Sequence, residues 1–595
     1  MVGACRSRAL KQFFITVAGV VVGSIIVSLL GWVMLFSFIG FASAPTPQPN
    51  RMVLSLDLRN GMTDQQPTNP FAALGGAPSL IDTLTRIEAA RTDNRVRGIY
   101  IRANTGGMAA AQAEELRAAL ASFRSSGKFV IAHLQNDGVR MGMPGYMAIA
   151  DSDEVWLQET SEFMPMGLSA EVTFFAGTLQ RYHMQAQFEA REGYKSAIAP
   201  YTQTTFTPEH RESMMSLMGG MYDNMLANIA ADRGITVDQA RAAIEATPFV
   251  AQRGVELQLI DRLGRPEDAA RAAIERGEEA ELVDFAEYRA PTHGGGGRTI
   301  AVVQGEGAIM SGPDEGGSLF GDESVFNSDR VAEALLEASA DDDVAAIVFR
   351  VSSPGGSVVA SDQILAALRT ARERGKIVVV SMGDVAASGG YYVSADADEI
   401  VASASTITGS IGIYGGKLII GPAIDYYLST NTETVSVGSP LINSFTSERP
   451  FTPQEREAFA GFIDRAYAQF IGIVAEGREM TPEQVRAVAG GRVWTGQQAL
   501  ERGLVDHLGG FQVAVARARA LANIGENDRV HLRFYPAHDN PWAAFGRLFG
   551  ASAESVETLA RINAVLSDPR TQQALEAIRE EDANIRARSD RMTIN

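Results

Sequence analysis

The longest apolar stretch of the chain lies near its N-terminus, where residues 13–42 carry no charged side chain. A helix of about 20 apolar residues can cross a bilayer, and a cleaved signal peptide has a shorter apolar core. Arg6, Arg8 and Lys11 precede the stretch, and no acidic residue occurs in 1–12. The pattern predicts a single transmembrane anchor at 13–42 in the cytoplasmic (inner) membrane, with 1–12 in the cytoplasm and the rest of the chain on the periplasmic, outer side.

Two blocks in which apolar strands alternate with helical stretches follow a Pro-rich spacer at 43–51. The first block covers 52–290, a Gly-rich linker covers 291–298, and the second block covers 299–536. This alternation is typical of α/β domains. The remaining residues, 537–595, form a tail without a counterpart in the first block.

The two blocks resemble each other at a constant distance along the chain. Gly145 and Gly390 occupy equivalent places, as do Asp261 and Asp506, and both 390 − 145 and 506 − 261 give 245. A fixed offset between similar segments is the signature of an internal repeat. The sequence therefore predicts a tandem duplication of one α/β domain.

Composition narrows the classes of function. The 595 residues are enough for more than one domain, and the formal net charge of −19 excludes a nucleic-acid partner that needs a basic face. Cys5 is the single cysteine, so no disulfide can form within the chain. Neither a cofactor nor a metal ion is predicted.

A serine flanked by small residues is the strongest candidate for catalysis. Ser388 lies in the segment 383–392, directly after the apolar strand 377–380. Small neighbours allow a substrate backbone to approach the hydroxyl closely. Ala386 stands where the nucleophile motif of α/β-hydrolases requires glycine, so that motif is not matched. The position predicts a nucleophile on a turn between a strand and a helix.

A glycine pair after another strand predicts an oxyanion site. Gly355 and Gly356 lie in the segment 353–357, between a strand and a helical stretch of the second block. Backbone N–H groups in such a turn can point at one spot and bind negative charge. The first block keeps a glycine pair at 106–107, so part of this pattern belongs to the fold.

A lysine at the end of a strand in the first block completes the candidate chemistry. The positions equivalent to Ser388 and Lys195 hold Met143 and Pro440, because 388 − 245 is 143 and 195 + 245 is 440. The serine thus occurs only in the second block and the lysine only in the first. Lysine can act as a general base when burial lowers its pKa. We expect one serine–lysine pair divided between the two blocks.

A serine–histidine–acid triad is the alternative arrangement. Among the seven histidines, His133 lies near a strand end and His507 near the end of the second block. Neither histidine is surrounded by a recognisable motif.

Four motifs together resemble the signal peptide peptidase A family in its long, two-domain bacterial form. They are Gly-Tyr-Lys-Ser-Ala at 193–197, Ser-Pro-Gly-Gly-Ser at 353–357, Ala-Ala-Ser-Gly-Gly-Tyr at 386–391 and Thr-Gly-Ser-Ile-Gly at 408–412. The resemblance covers about 50–535 and extends to the N-terminal anchor. It implies a Clp-protease/crotonase-like fold in each block and a homo-oligomer, a tetramer in the long form.

The resemblance also assigns roles to individual residues. Ser388 would be the nucleophile and Lys195 the general base. Ser410 would orient the lysine amine. The resemblance further implies that backbone groups of Gly355, Gly356 and Gly389 would stabilise the oxyanion.

The sequence is therefore interpreted as a membrane-anchored serine protease acting outside the cytoplasm. Its substrates, as the resemblance implies, are signal peptides left after preprotein cleavage. Two other classes stay open on the residues alone: an acyl-CoA enzyme of the crotonase type, and a non-catalytic membrane scaffold.

Overall fold

A computed structural model describes residues 48–65, 78–135, 142–291, 297–312, 325–525 and 528–536. The predicted anchor at 13–42 and the tail at 537–595 lie outside these residues. Within the described part of the chain, no helix is long and apolar enough to cross a membrane.

The first block is built on a six-stranded parallel sheet with strand order β8-β4-β3-β2-β1-β9. Its four central strands, β1–β4, are buried along most of their length, as expected for a parallel sheet covered by helices on both faces. The strands of this block are β1 Met52–Asp57, β2 Val96–Ala103, β3 Phe129–Leu134, β4 Glu154–Leu157, β5 Glu162–Phe163, β6 Gln185–Ala190, β7 Phe249–Val250, β8 Arg262–Leu263 and β9 Glu281–Asp284.

Some helices of the first block begin at side-chain caps. Ser79 and Thr207 each accept a backbone N–H three residues ahead, which satisfies a donor at the helix start. The helices are α1 Leu80–Thr92, α2 Ala110–Ser125, α3 Pro144–Ile149, α4 Ala176–Arg181, α5 Ala199–Thr202, α6 Pro208–Arg233, α7 Val237–Glu245, α8 Ala251–Glu256 and α9 Pro266–Arg276.

The second block repeats this plan in an eight-stranded sheet with the main order β18-β16-β14-β13-β10-β20. In addition β15 pairs with β14 and β19 with β15, and only the β16–β18 pair of this described sheet is antiparallel. The strands are β10 Arg298–Glu306, β11 Ala308–Met310, β12 Val325–Asn327, β13 Val344–Ser353, β14 Ile377–Ala387, β15 Glu399–Ala402, β16 Ile407–Gly409, β17 Tyr414–Ile419, β18 Val493–Thr495, β19 His507–Leu508 and β20 Val530–Tyr535.

Helices of the second block cover its sheet as those of the first block do. They are α10 Ser328–Ala340, α11 Val358–Glu373, α12 Gly389–Tyr392, α13 Gly421–Leu428, α14 Pro453–Gly477, α15 Pro482–Val488, α16 Gly496–Leu500 and α17 Phe511–Leu521. The two sheets with their flanking helices confirm the α/β prediction.

One of the hydrophobic clusters spans both blocks. Val302, Val348 and Val379 of the second sheet belong to the same buried cluster as Leu54 and Ile99 of the first. Apolar side chains of both blocks are therefore buried against each other, and this burial of apolar area fixes one block against the other.

A strand from each block pairs across the boundary between them. β6 of the first block and β17 of the second form a separate antiparallel two-stranded sheet, with Tyr414 opposite Ala190 and Ile419 opposite Gln185. We call this sheet the cross-block ribbon. It ties two segments that are more than 200 residues apart in sequence.

A buried ionic cluster also joins the blocks. The Arg350 side chain is 0% exposed, and its guanidinium donates to Asp64 at 2.9 Å and to Glu115 at 2.8 Å. Both carboxylates come from the first block. Nη1 of Arg350 also donates to Ser381 Oγ, at 3.0 Å. Glu115 in turn accepts a hydrogen bond from the backbone N–H of Phe511 at 2.7 Å.

We predict that Arg350→Ala lowers the free energy of unfolding by about 3–5 kcal/mol, because two buried carboxylates lose their cation. The exposed pair formed by Arg253 and Glu256 supplies the control, since Arg253→Ala should cost about 1 kcal/mol or less. Urea unfolding of the full chain in detergent, followed by tryptophan fluorescence, measures both values. Equal losses in the two variants would contradict the prediction.

Candidate active site

Ser388 lies at a sharp turn between β14 and α12. Its φ is 53° and its ψ is −115°, a region that non-glycine residues rarely adopt. A Cβ at Gly390 would lie 2.6 Å from the Ser353 carbonyl oxygen, and one at Gly389 would lie 2.7 Å from Ser361 Oγ. The small residues after the serine are thus required for the turn, and the half-buried hydroxyl stands at its tip.

The structure brings Lys195 of the first block to Ser388 of the second within one chain. Lys195 Nζ lies 3.0 Å from Ser388 Oγ. The same nitrogen lies 2.9 Å from the carbonyl oxygen of Ser410 and 2.9 Å from its Oγ. Ser388, Lys195 and Ser410, predicted from three separate motifs, therefore meet at one point.

The cross-block ribbon sets this geometry. Lys195 follows the end of β6 by five residues, and Ser410 precedes the start of β17 by four. Just beyond the ribbon, the Arg191 N–H donates to the Ile413 carbonyl at 3.1 Å. The paired strands therefore deliver the two side chains from different blocks to the same place.

Two glycines of the second block lie against Lys195, and the sequence did not predict this contact for either of them. Gly491 has φ +82°, and a Cβ there would lie 2.6 Å from the Cα of Lys195. A Cβ at Gly412 would lie 3.2 Å from Lys195 Cδ. Gly412 belongs to the motif at 408–412 described above. The glycine pair at 490–491 has no counterpart in the first block, and the pair itself is the only sequence signal that points to it. Lys195 thus occupies a narrow slot, and side chains at positions 412 and 491 would leave no room for it.

Burial lowers the pKa of Lys195 to about 7. The residue is 5% exposed, and its three hydrogen-bond partners are neutral oxygens of two serines. Desolvation disfavours the ammonium form, and no carboxylate is among these partners to stabilise it. A neutral amine has a lone pair that can accept the proton of Ser388.

Ser410 also contacts the lysine amine. Its φ is 51°, another left-handed value for a non-glycine residue, and its N–H donates to the Arg492 carbonyl at 2.8 Å. This hydrogen bond and the strained backbone turn both of its oxygens toward Lys195 Nζ. The arrangement fixes the amine in front of the serine hydroxyl.

The glycine turn lies directly against Ser388, but one of its donors is already used. The Gly355 N–H donates to Ser353 Oγ at 3.0 Å, and that hydroxyl donates to the Gly307 carbonyl at 2.7 Å. Gly355 was expected to help hold the oxyanion. The structure instead gives it a turn-forming part, with φ +98° and a virtual Cβ 2.8 Å from Ser388 Cβ.

Two other amides remain available beside the serine. A Cβ at Gly389 would lie 3.1 Å from the nitrogen of Gly356, so the two backbone segments are in contact. Neither N–H has an acceptor among the described residues. The N–H groups of Gly356 and Gly389 therefore lie next to Ser388 without an acceptor among the described residues.

The two candidate histidines of a triad lie elsewhere. His133 Nε2 is 3.2 Å from the Gly264 carbonyl oxygen in the first block, and His507 Nε2 is 3.3 Å from Glu399. The described contacts of neither residue include Ser388. The arrangement found at the serine is the lysine pair.

Comparison with known proteins identifies the family to which the chain belongs. The model of peptidase family S49 matches two regions, 122–280 and 370–525, one in each block. The double match confirms the duplication. Because the two regions together cover more than half of the chain, they establish membership in that family.

Curated proteins that are similar in sequence also carry the names of proteases or peptidases. "Protease 4" of Salmonella typhi is 32% identical over 82% of this chain and 81% of its own length. "Serine protease SPPA, chloroplastic" of Arabidopsis thaliana is 28% identical over 81% of this chain and 70% of its own. "Putative signal peptide peptidase SppA" of Enterococcus faecium is 31% identical over 33% of this chain and 56% of its own. The chain belongs to peptidase family S49 and is a serine protease.

Proposed function

We propose that this protease uses a Ser388–Lys195 dyad to degrade signal peptides that remain in the membrane after preprotein processing. The observation that carries the proposal is the 3.0 Å contact between Ser388 Oγ and the Nζ of a buried lysine that has no acidic partner among the described residues. Such a pair activates a serine without histidine.

The first half of the reaction forms an acyl-enzyme. Ser388 Oγ attacks the carbonyl carbon of the peptide bond while its proton passes to Lys195 Nζ. The negative charge that develops on the carbonyl oxygen is stabilised by the N–H groups of Gly356 and Gly389. Lys195 then donates its proton to the leaving amine, and the C–N bond breaks.

The second half restores the enzyme. Lys195, again neutral, accepts a proton from water as the water oxygen attacks the acyl carbon. Collapse of the tetrahedral intermediate returns the proton to Ser388 Oγ and releases the acid product. Ser410 keeps the amine in position through both halves by its contacts of 2.9 Å.

The substrate class and membrane location rest on the resemblance and on the sequence. A relative named a putative signal peptide peptidase supports signal peptides as substrates. The apolar segment 13–42 would anchor the chain in the cytoplasmic membrane, with both blocks on the periplasmic side. The Clp-protease/crotonase-like description of each block and assembly as a tetramer also belong to this proposal.

Ser388→Ala should reduce hydrolysis of a synthetic signal peptide on the order of 10⁴-fold or more, because the nucleophile is lost. The matched control is Ser125→Ala, which removes a hydroxyl from an exposed site in α2 and should leave the rate unchanged. Rates are measured with full-length protein in detergent. Wild-type hydrolysis by the Ser388 variant would refute the dyad.

The rate should rise with pH through neutrality. With a lysine pKa of about 7, the neutral fraction increases from roughly one tenth at pH 6 to roughly nine tenths at pH 8. Lys195→Arg should be inactive across this range because guanidinium stays protonated. A flat pH profile of kcat/KM, or an active arginine variant, would exclude lysine as the base.

The predicted topology can be tested by fusions after residue 50. Alkaline phosphatase fused there should be active, since the following residues are expected outside the cytoplasm. A control fusion at residue 12, before the span, should be inactive. The reverse pattern would overturn the proposed orientation.

A further inference from the structure

The backbone around Lys195 is fixed by its neighbours rather than by a hydrogen bond of its own amide. In the part of the chain that the structure describes, the N–H of Lys195 has no acceptor. Tyr194, the residue before it, donates its N–H to the Gly490 carbonyl at 3.1 Å and accepts the Ser196 N–H at 2.7 Å. The position of the lysine therefore depends on how firmly Tyr194 is held.

An arginine of the second block holds the Tyr194 ring. The guanidinium carbon of Arg492 lies 5.0 Å from the centroid of that ring and 4.4 Å from the centroid of the Trp494 ring. Both separations are within the roughly 6 Å over which a cation is attracted to an aromatic face, and the attraction strengthens where water is excluded. Trp494 is buried and Tyr194 is half-buried. We call Arg492 and these two rings the arginine clamp.

The same arginine also contacts the segment that orients the amine. Its carbonyl oxygen accepts the Ser410 N–H at 2.8 Å. A Cβ at Gly409, which precedes that serine, would lie 2.8 Å from Cδ1 of Trp494, so this ring packs directly against the segment. Arg492 therefore contacts the segment of Lys195 through its side chain and the segment of Ser410 through its carbonyl group.

An ion pair with the first block is the remaining contact of the guanidinium. Nη2 of Arg492 lies 2.7 Å from Oε1 of Glu212 on α6. The Glu212 side chain is 50% exposed, so water and salt weaken this pair. Nε of Arg492 is buried and has no hydrogen-bond partner among the described residues. The two rings, more than hydrogen bonds, therefore set the orientation of the guanidinium.

We propose that Arg492 is a positioning residue of the proteolytic reaction, which holds the Lys195 amine in front of Ser388 by clamping the Tyr194 ring. The inference rests on the proposed dyad and adds a residue that acts on it without touching the substrate. When the clamp is lost, Tyr194 and the lysine after it gain freedom, and water can enter the slot. The amine then spends less time beside the hydroxyl, and hydration favours its ammonium form.

Charge alone does not account for this effect. The titratable side chains that face this part of the chain include Glu192 on the lysine segment, Glu209 and Glu212 on α6, Tyr467 on α14 and Arg486 on α15. None of them is among the hydrogen-bond partners of Lys195 Nζ, and burial is what lowers the pKa of the lysine. A raised lysine pKa in a clamp variant would therefore report water in the slot.

Arg492→Ala tests the proposal. It should lower kcat about tenfold or more at pH 7 and change KM less than about twofold, because the amine is misplaced and the substrate is not. The midpoint of the rise of kcat/KM with pH should move about one unit toward alkaline pH, since the hydrated ammonium form loses its proton less readily. Rates of the full-length protein in detergent are divided by the fraction of chains that a fluorophosphonate labels at saturation, so unfolded chains do not count.

Variants of the ring identify the contact. Tyr194→Phe keeps an aromatic face for the guanidinium and should match the wild-type rate and midpoint. Tyr194→Leu should reproduce both changes expected for Arg492→Ala. Because the two substitutions break one contact, their combination should be no more than about twofold worse than either alone.

A second arginine supplies the matched control. The guanidinium carbon of Arg502 lies over the same Trp494 ring at 3.9 Å, and its described contacts do not include Tyr194. Arg502→Ala should therefore keep kcat within about twofold of the wild type and leave the midpoint in place.

The outcomes separate the clamp from the dyad. A loss in Arg492→Ala that is the same at every pH, multiplied losses in the double variant, or an equal loss in Arg502→Ala would each overturn the clamp while a wild-type midpoint near pH 7 keeps the dyad. A flat profile of the wild-type protein would remove the dyad itself, and the positioning role of Arg492 with it.

Discussion

The antiparallel pairing of β6 with β17 is the constraint on which the site depends. It is the element through which Lys195 of the first block and Ser410 of the second approach each other, and Ser410 lies beside Ser388 through β16 and β14. Backbone hydrogen bonds of a ribbon set distances to a fraction of an ångström. A small change of register would move the amine away from the hydroxyl, because one residue of slip turns every side chain to the other face.

The chemistry of the lysine follows from what surrounds it. An amine in a slot lined by Gly412 and Gly491 is shielded from water, and its partners are serine oxygens. Burial destabilises the ammonium form, and no counter-charge among the described residues offsets it, which is why the pKa falls to about 7. The strained backbones of Ser388 and Ser410 are part of the same design, since strain of this kind persists only where surrounding structure holds it.

Much of this could be predicted from the sequence because the signals are local or repeated. Apolar strands alternating with helical stretches predicted two α/β blocks, and the missing counterparts of Ser388 and Lys195 predicted a pair divided between them. The use of the Gly355 N–H by Ser353, the glycine slot around the lysine and the Arg350 cluster were not predicted. Each depends on contacts between residues distant in sequence, whose geometry no local pattern encodes.

The most direct test of the within-chain dyad is complementation between inactive chains. Lys195→Ala and Ser388→Ala chains carrying different tags are co-expressed, and mixed assemblies are purified through both tags. Because each intact site needs both residues in one chain, peptide hydrolysis by the mixed assemblies should stay at the background of the single variants. Recovered hydrolysis well above that background would show that neighbouring chains share the site, and would contradict the geometry described for Lys195 and Ser388.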